Sequence, residues 1–379
     1  MGMLKGALFL IAVFCGSVAM AAPAYGPVID LPGAASAADP CLIRVSDTYY
    51  LYPTHTGRTV ECWSSTDLVN WTYEGVVWGP APDGAWNDNM VWAPEVFIDG
   101  DDYYLYYTAN DKIGVAIGDG PTGPFVDVYD EPFLGGDRWE FLGYTIDGHV
   151  FRDDDQKLYL YGTGYNPLSI LRVWELDDPI TPTTQEGTPV LGPEVLGWEF
   201  VVLEAPWMIK HDGTYYLMYS GNRADTNAYA IGYATATSPL GPFTKYDGNP
   251  ILAADTDAGF YGPGHHSVVR TPDERMVMAY HTKIAPTTGW DRLVRLNEIA
   301  FNGDGSLCVV LDESCPDLTT DDDAVDDDTD DDDVLDDDTF DDDASDDDAG
   351  DDTVDDDLQA SDDDDASSGD DDDDDGCGT

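Results

Sequence analysis

The run GDDYYLYY (100–107) places a charged turn directly before an alternating aromatic segment. Versions of it recur as SDTYYLY (46–52), DDQKLYLYG (154–162), HDGTYYLMYS (211–220) and PDERMVMAYH (272–281). Turn residues ahead of a period-two aromatic or β-branched run are a hairpin signal. A short apolar strand precedes each turn: CLIRV (41–45), APEVFI (93–98), GHVFR (148–152), APWMIK (205–210) and SVVRT (267–271). A third strand-like run follows, as in IGVAIG (113–118), ILRVWEL (170–176), AIGYATA (230–236) and LVRLNEIAF (293–301).

The repeating unit is therefore strand, tight turn, strand, strand. Equivalent starts of the first strand lie near Asp39, Ala93, Asp147, Glu204 and His265, at steps of 54, 54, 57 and 61 residues. Helical periodicity is nearly absent, and the chain carries 38 Gly and 24 Pro. A two-sheet sandwich seldom keeps so even a period, so the expected fold is all-β, a five-bladed β-propeller. In a propeller the first strand of every blade lines the central axis. Acids at three of the five starts, Asp39, Asp147 and Glu204, are then expected to converge there.

Outside this repeat the composition changes. Residues 321–379 hold 34 Asp and no Glu, Lys or Arg, within a chain of net charge -61. Self-repulsion and scarce apolar residues predict a disordered acidic C-terminal tail over 319–379. A field this acidic argues against nucleic acid and anionic membrane surfaces as partners. The N-terminus reads as a signal peptide, 1–21: Lys5, an apolar run from Ala7 to Val13, and the cleavage site Ala19-Met20-Ala21. Phe14 before Cys15 disfavours lipidation, and the run is too short to span a bilayer. The expected product is secreted or displayed at the cell surface, and a monomer. Export permits disulfides. Cys308 and Cys315 are close enough in sequence to close a small loop, while spacing leaves a Cys41–Cys62 pair open and Cys377 alone in the tail. The propeller domain is assigned to 22–318.

The text around the three acids is specific: ADPCLIRV around Asp39, YTIDGHVFRDDDQKLYLYG around Asp147, and VLEAPWMIKHDGTYYLMYS around Glu204. With WAPEV (92–96), SSTDLVNW (64–71), GPGHHSVV (262–269) and YH (280–281), these segments resemble glycoside hydrolase family 43, whose members are five-bladed propellers. The resemblance spans roughly residues 36–312 with every blade in order. It implies Asp39 as the base that activates water, Glu204 as the acid that protonates the leaving oxygen, and Asp147 as the carboxylate that orients that acid and raises its pKa. It implies cleavage of α-L-arabinofuranosyl or β-D-xylosyl linkages in plant polysaccharides with inversion. An acid, a base and a neighbouring like charge are what that chemistry asks for. One position departs: Ala205 follows Glu204 where the family usually has Gly.

Trp92 is expected at the rim, where an indole face suits a sugar ring, and Arg292 near the substrate. The resemblance also implies that His265 faces a calcium ion or a water cluster on the axis, while no cofactor is required for the chemistry. Strand alternation points His266 away from the axis. His281, Glu95 and Asp99 read as buried, strand and turn residues. A fructoside-cleaving propeller would begin N-D-P-N, but Ala38 and Cys41 stand in those places. The competing reading is a non-catalytic glycan-binding propeller on an acidic spacer, which has no need of the acid–base set.

Overall fold

The computed structural model describes residues 25–135, 143–165, 168–184, 186–287, 289–311 and 315. The expected signal peptide, the acidic tail and Cys377 lie outside the described residues. Among the described residues there is no helix. Five antiparallel sheets follow one another along the chain. Blade 1 is β1 (Ala38–Val45), β2 (Thr48–Thr54), β3 (Val60–Ser65) and β4 (Thr72–Trp78). Blade 2 is β5 (Trp92–Asp99), β6 (Asp102–Ala109), β7 (Lys112–Gly118) and β8 (Val126–Asp127). Blade 3 is β9 (Thr145–Arg152), β10 (Leu158–Tyr165), β11 (Ser169–Asp178) and β12 (Thr181–Pro182), with β13 (Thr188–Leu191) as a fifth strand on β11. Blade 4 is β14 (Leu203–His211), β15 (Thr214–Gly221), β16 (Ala230–Ala236) and β17 (Thr244–Lys245). Blade 5 is β18 (Gly264–Arg270), β19 (Met276–Lys283), β20 (Arg292–Phe301) and β21 (Leu307–Val309). The first strands touch in a closed ring, with β1 meeting both β5 and β18.

The hairpin turns expected from sequence are present. Asp212 and Gly213 both take positive φ, 47° and 77°, between β14 and β15, the conformation of a type I′ turn. The aromatic richness of the strands has a packing cause. Each sheet is buried on both faces, so both halves of the period-two pattern must be apolar. In blade 1, Cys41, Tyr52 and Cys62 pack against Val96, Leu105 and Tyr107 of blade 2. Their alternates Leu42, Leu51 and Trp63 pack against Val277, Ala279 and Val294 of blade 5. Three further apolar layers fill the remaining gaps between blades.

The ring is closed by a segment that the repeat did not reveal. Residues before β1 lie along β20: Ile29 N–H donates to Val294 O at 3.0 Å and Ala37 N–H to Arg292 O at 2.9 Å. β21 covers the other half of β20, so the chain's start completes its last blade. Cys308 and Cys315 form the expected disulfide. Cys41 and Cys62 do not pair; both are buried thiols. They sit on β1 and β3 with β2 between them, which keeps two strand spacings, roughly 10 Å, between their backbones. A disulfide needs Cα atoms within about 7 Å.

Candidate active site

Every first strand breaks its ladder at the same place. The pairing shifts register around Asp39-Pro40, Ala93-Pro94, Asp147-Gly148, Ala205-Pro206 and His265. The first residue of each bulge has positive φ: 46° at Asp39, 45° at Ala93, 59° at Asp147, 53° at Ala205 and 46° at His265. These are non-glycine residues in left-handed backbone, a cost of about 1–2 kcal/mol each. The bulge turns the side chain that it carries toward the axis. It also corrects the sequence alignment. The residue equivalent to Asp39 and Asp147 is Ala205; Glu204 stands one position earlier, in the place that Trp92 occupies in blade 2. Alternating apolar strings do not reveal a bulge, so the expected equivalence was one residue out.

Each bulge amide is latched to the preceding blade. The second-strand residue paired with the position just before each bulge is Thr54, Thr108, Thr163, Ser220 and His281 in turn. Ala93 N–H donates to Thr54 Oγ1 at 2.7 Å, Asp147 N–H to Thr108 Oγ1 at 3.1 Å, and His265 N–H to Ser220 Oγ at 2.8 Å. Asp39 N–H donates to His281 Nδ1 at 3.2 Å. The fourth latch differs. Ala205 N–H goes to Asp147 Oδ2 at 3.0 Å, and the Thr163 hydroxyl is left buried without a partner. Asp147 thus grips the amide next to Glu204.

Asp39, Asp147, Glu204, Trp92, Arg292 and His265 all line one open cavity of about 450 Å³, within the usual size of a small-molecule site. The sequence-derived residues are therefore brought together. Tyr144, Arg223, Asp225 and Trp290 line it too, and none of these was singled out from sequence. Trp290 stands two residues before Arg292, and the Arg292 guanidinium lies 5.5 Å from its ring centre. Lys283 Nζ ties the loops that carry these residues, donating to Asp225 O at 2.6 Å and Gly289 O at 2.7 Å.

The surroundings divide the three acids. Asp39 Oδ1 accepts from Arg292 Nη1 at 3.0 Å and lies 3.3 Å from His265 Nδ1. Burial pushes the Asp39 carboxyl up, but Arg292, then His265 and His281, outweigh it and hold it well below the usual carboxylate range. Burial also pushes His265 down, and His281 to about 3. The His281 ring is then neutral, and Arg292 is the permanent cation beside Asp39. His281 Nδ1 lies 3.2 Å from both Asp39 N–H and Asp39 Oδ1. The amide can only donate, so a neutral His281 accepts there.

Glu204 has the opposite setting. Burial raises it to about 7, with the Tyr229 hydroxyl opposing and the Asp39 charge adding to the rise. Tyr229 donates to Glu204 Oε1 at 2.7 Å. Burial, then the charges of Glu204 and Asp39, push Asp147 well above its usual value. Asp147 and Glu204 titrate as a pair that retains a proton toward neutral pH.

A second, smaller cavity of about 20 Å³ adjoins the first, lined by residues that include Glu95, Trp207, His265 and His266. His266 is among the residues that line this smaller cavity. Both of its ring nitrogens are buried without partners among the described residues, which suits about one water molecule. Calcium fits poorly: it seeks six to eight oxygens, and no group of three or more His, Cys, Asp or Glu converges among the described residues. Glu95 links blades, accepting from Val150 N–H at 2.9 Å and meeting His149 Nδ1 at 2.9 Å. Asp99 pairs with Arg152 at 2.7 Å.

Comparison with known proteins agrees with this construction. The family model "Glycosyl hydrolases family 43" matches residues 31–307. A β-D-galactofuranosidase of Aspergillus niger is 29% identical, covering 72% of this chain and 82% of its own. An arabinoxylan arabinofuranohydrolase of Bacillus subtilis is 31% identical over 64% of this chain, which spans only 53% of that protein. Among solved structures, a thermostable family-43 glycoside hydrolase superposes with TM-score 0.67 at 34% identity, covering 76% of this chain and 95% of its own. Blade repeat, bulge-borne acids and family match coincide over the same residues, and the chain belongs to glycosyl hydrolase family 43 as one of its glycosidases.

Proposed function

We propose that the protein hydrolyses α-L-arabinofuranosyl or β-D-xylosyl linkages of plant polysaccharides with inversion, using Asp39 as base, Glu204 as acid and Asp147 as the group that positions Glu204. The observation that carries this reading is the opposed setting of two buried carboxyls in one cavity. Asp39 is held ionised beside Arg292, and Glu204 is raised to about 7. In the reaction Asp39 takes a proton from water as the water oxygen bonds to the anomeric carbon. The bond from that carbon to the leaving oxygen breaks, its electron pair stays on the oxygen, and Glu204 supplies the proton. Asp39 ends protonated and Glu204 ionised, and exchange with solvent restores both. Asp147 holds the Ala205 amide at 3.0 Å, which fixes the strand on which Glu204 sits. Trp92 offers a ring face at the cavity wall. Relatives named for arabinoxylan, arabinan and xylose substrates favour pentose linkages; the galactofuranosidase likeness adds one further sugar to test.

The experiment is hydrolysis of arabinans, arabinoxylan, xylan and aryl furanosides and xylosides, with the first-formed anomer read by proton NMR. Inverted arabinose or xylose is the expected product. A retained anomer, or turnover of none of these substrates, overturns the proposal. Export as a secreted or surface protein belongs to the same reading, favoured by relatives described as extracellular. N-terminal sequencing of protein from the medium should begin at Ala22.

A further inference from the structure

One oxygen of the Glu204 carboxyl is already engaged. The Tyr229 hydroxyl donates to Glu204 Oε1, 2.7 Å away. Ser220, the blade 4 member of the latch series, accepts from the His265 N–H at 2.8 Å. Its hydroxyl also acts on the Tyr229 phenol, in the sense that favours the ionised form.

We infer that Tyr229 is a positioning residue that reserves Oε1 of Glu204 as an acceptor, so that the transferable proton sits on Oε2. This rests on the reading of Glu204 as the acid. The placement of the ring is built in. Tyr229 is fully buried and stacks on His281, ring centres 5.6 Å apart. A Cβ on Gly264 would lie 2.0 Å from Tyr229 Cε1, so the phenol reaches Glu204 only because β18 begins with glycine. The hydroxyl does two things. It selects one of the two carboxyl oxygens, and it stabilises the carboxylate that forms as the proton departs. Hydrogen bonds to a developing charge are worth more than neutral ones.

Other charges face Glu204 as well: Asp39 from β1, Asp147 from β9, Arg292 from β20, Asp225 from the loop before β16, and His265 from β18. The Tyr144 phenol, before β9, also senses it. None of them is altered by removing the Tyr229 hydroxyl, so a shift in the basic limb of the pH profile reports that hydroxyl alone.

The test compares Tyr229→Phe with the parent on methyl and 2,4-dinitrophenyl α-L-arabinofuranosides, with the matching β-D-xylosides alongside. Each pair shares its sugar, so binding of the sugar cancels. The methyl glycoside needs a proton to leave; the dinitrophenyl one does not. The expected result is a ~10–100-fold loss on the methyl glycoside, less than ~3-fold on the dinitrophenyl glycoside, and a basic limb moved to higher pH. Equal losses on both, or no loss on either, overturn the inference. Ser220→Ala keeps the ring in place and should show a smaller loss of the same pattern. It decides the matter should the phenylalanine variant not accumulate, and equal losses there overturn it too. Glu204→Gln is the control: if it still turns over the methyl glycoside, the acid assignment falls and this inference with it.

Discussion

The first strands of blades 1 and 4 use one backbone device to opposite ends. Both kink at a bulge followed by proline, Asp39-Pro40 and Ala205-Pro206, with φ of 46° and 53° at the leading residue. In blade 1 the carboxyl sits on the bulge and meets a guanidinium at 3.0 Å. In blade 4 it sits one residue earlier and meets a phenol at 2.7 Å. Blade 2 repeats the blade 4 pattern with Trp92 in place of Glu204. The scaffold therefore supplies position, and the surroundings set the charge state: Arg292 reaches Asp39 from β20 of the neighbouring blade, while Glu204 is raised by burial and meets Tyr229 from its own blade.

Removing either carboxyl breaks the comparison outright. Asp39→Ala should lower kcat/KM on polysaccharide by at least ~1,000-fold, and Glu204→Gln by ~100–10,000-fold with activated aryl glycosides partly spared. Steady-state rates on both substrate types check this, and equal losses of Glu204→Gln on both would deny it the role of acid. Arg292→Met tests what separates the two sites. Without the cation, the largest influence opposing burial at Asp39 is gone, and its pKa rises. Asp39, the proposed base, is then more protonated at mildly acidic pH. The expected outcome is a ~10–100-fold loss at pH 5, smaller at pH 7, with the acidic limb of kcat/KM displaced upward.

The parent's own pH dependence follows from the same contrast. Asp39 stays ionised through the mildly acidic range, and Glu204 gives up its proton near 7. kcat/KM should be level from about pH 5 to 6.5 and fall about tenfold per unit well above 7. Stability carries the same signature with a definite sign. Glu204 releases its proton near 4.5 when unfolded and near 7 when folded. Between those values the folded state binds more protons, so this group's contribution to stability falls as pH rises. Glu204→Gln removes that liability. It should exceed the parent by about 1–3 kcal/mol at pH 8 and match it near pH 4, measured by urea unfolding at both. Equal stability at both pH values would mean that Glu204 is not raised.

The repeat was legible because both faces of each sheet are buried, which writes the same aromatic string at every second strand. Asp39 and Asp147 were legible with it, and Arg292 through the family resemblance. The one-residue offset of Glu204 was not, since a bulge changes φ and register without changing composition; Pro40, Pro94 and Pro206 after three of the bulges were its only trace. Tyr229, His281 as a latch and Asp225 were missed because their contacts join positions that no local pattern links, and Trp290, two residues before Arg292, because no motif marks it. His281 lies 242 positions from the Asp39 amide that it accepts. The strand segment that closes the ring was hidden for the same reason: residues 28 and 29 pair with 294 and 295.

The smallest effect separates latches that look alike in sequence. Thr108 and Thr163 hold the same place in blades 2 and 3. Thr108 accepts from the Asp147 amide at 3.1 Å, while Thr163 has no partner because Asp147 has taken the Ala205 amide. Valine in place of Thr108 leaves a buried N–H unsatisfied and should cost about 1–3 kcal/mol. Valine in place of Thr163 removes a hydroxyl that already lacks a partner, and should cost nothing or stabilise by up to about 1 kcal/mol. Thermal unfolding of the two variants gives the answer directly. The pair also sharpens the role of Asp147. If Asp147 is shortened to Ala, the Ala205 amide is released, and Thr163 becomes the nearest acceptor by analogy with the other blades. Thr163→Val should then be costly in the Asp147→Ala background and harmless in the parent, a coupling of about 1–2 kcal/mol between two side chains. Additive effects would mean that Asp147 does not stand in for the blade 3 latch.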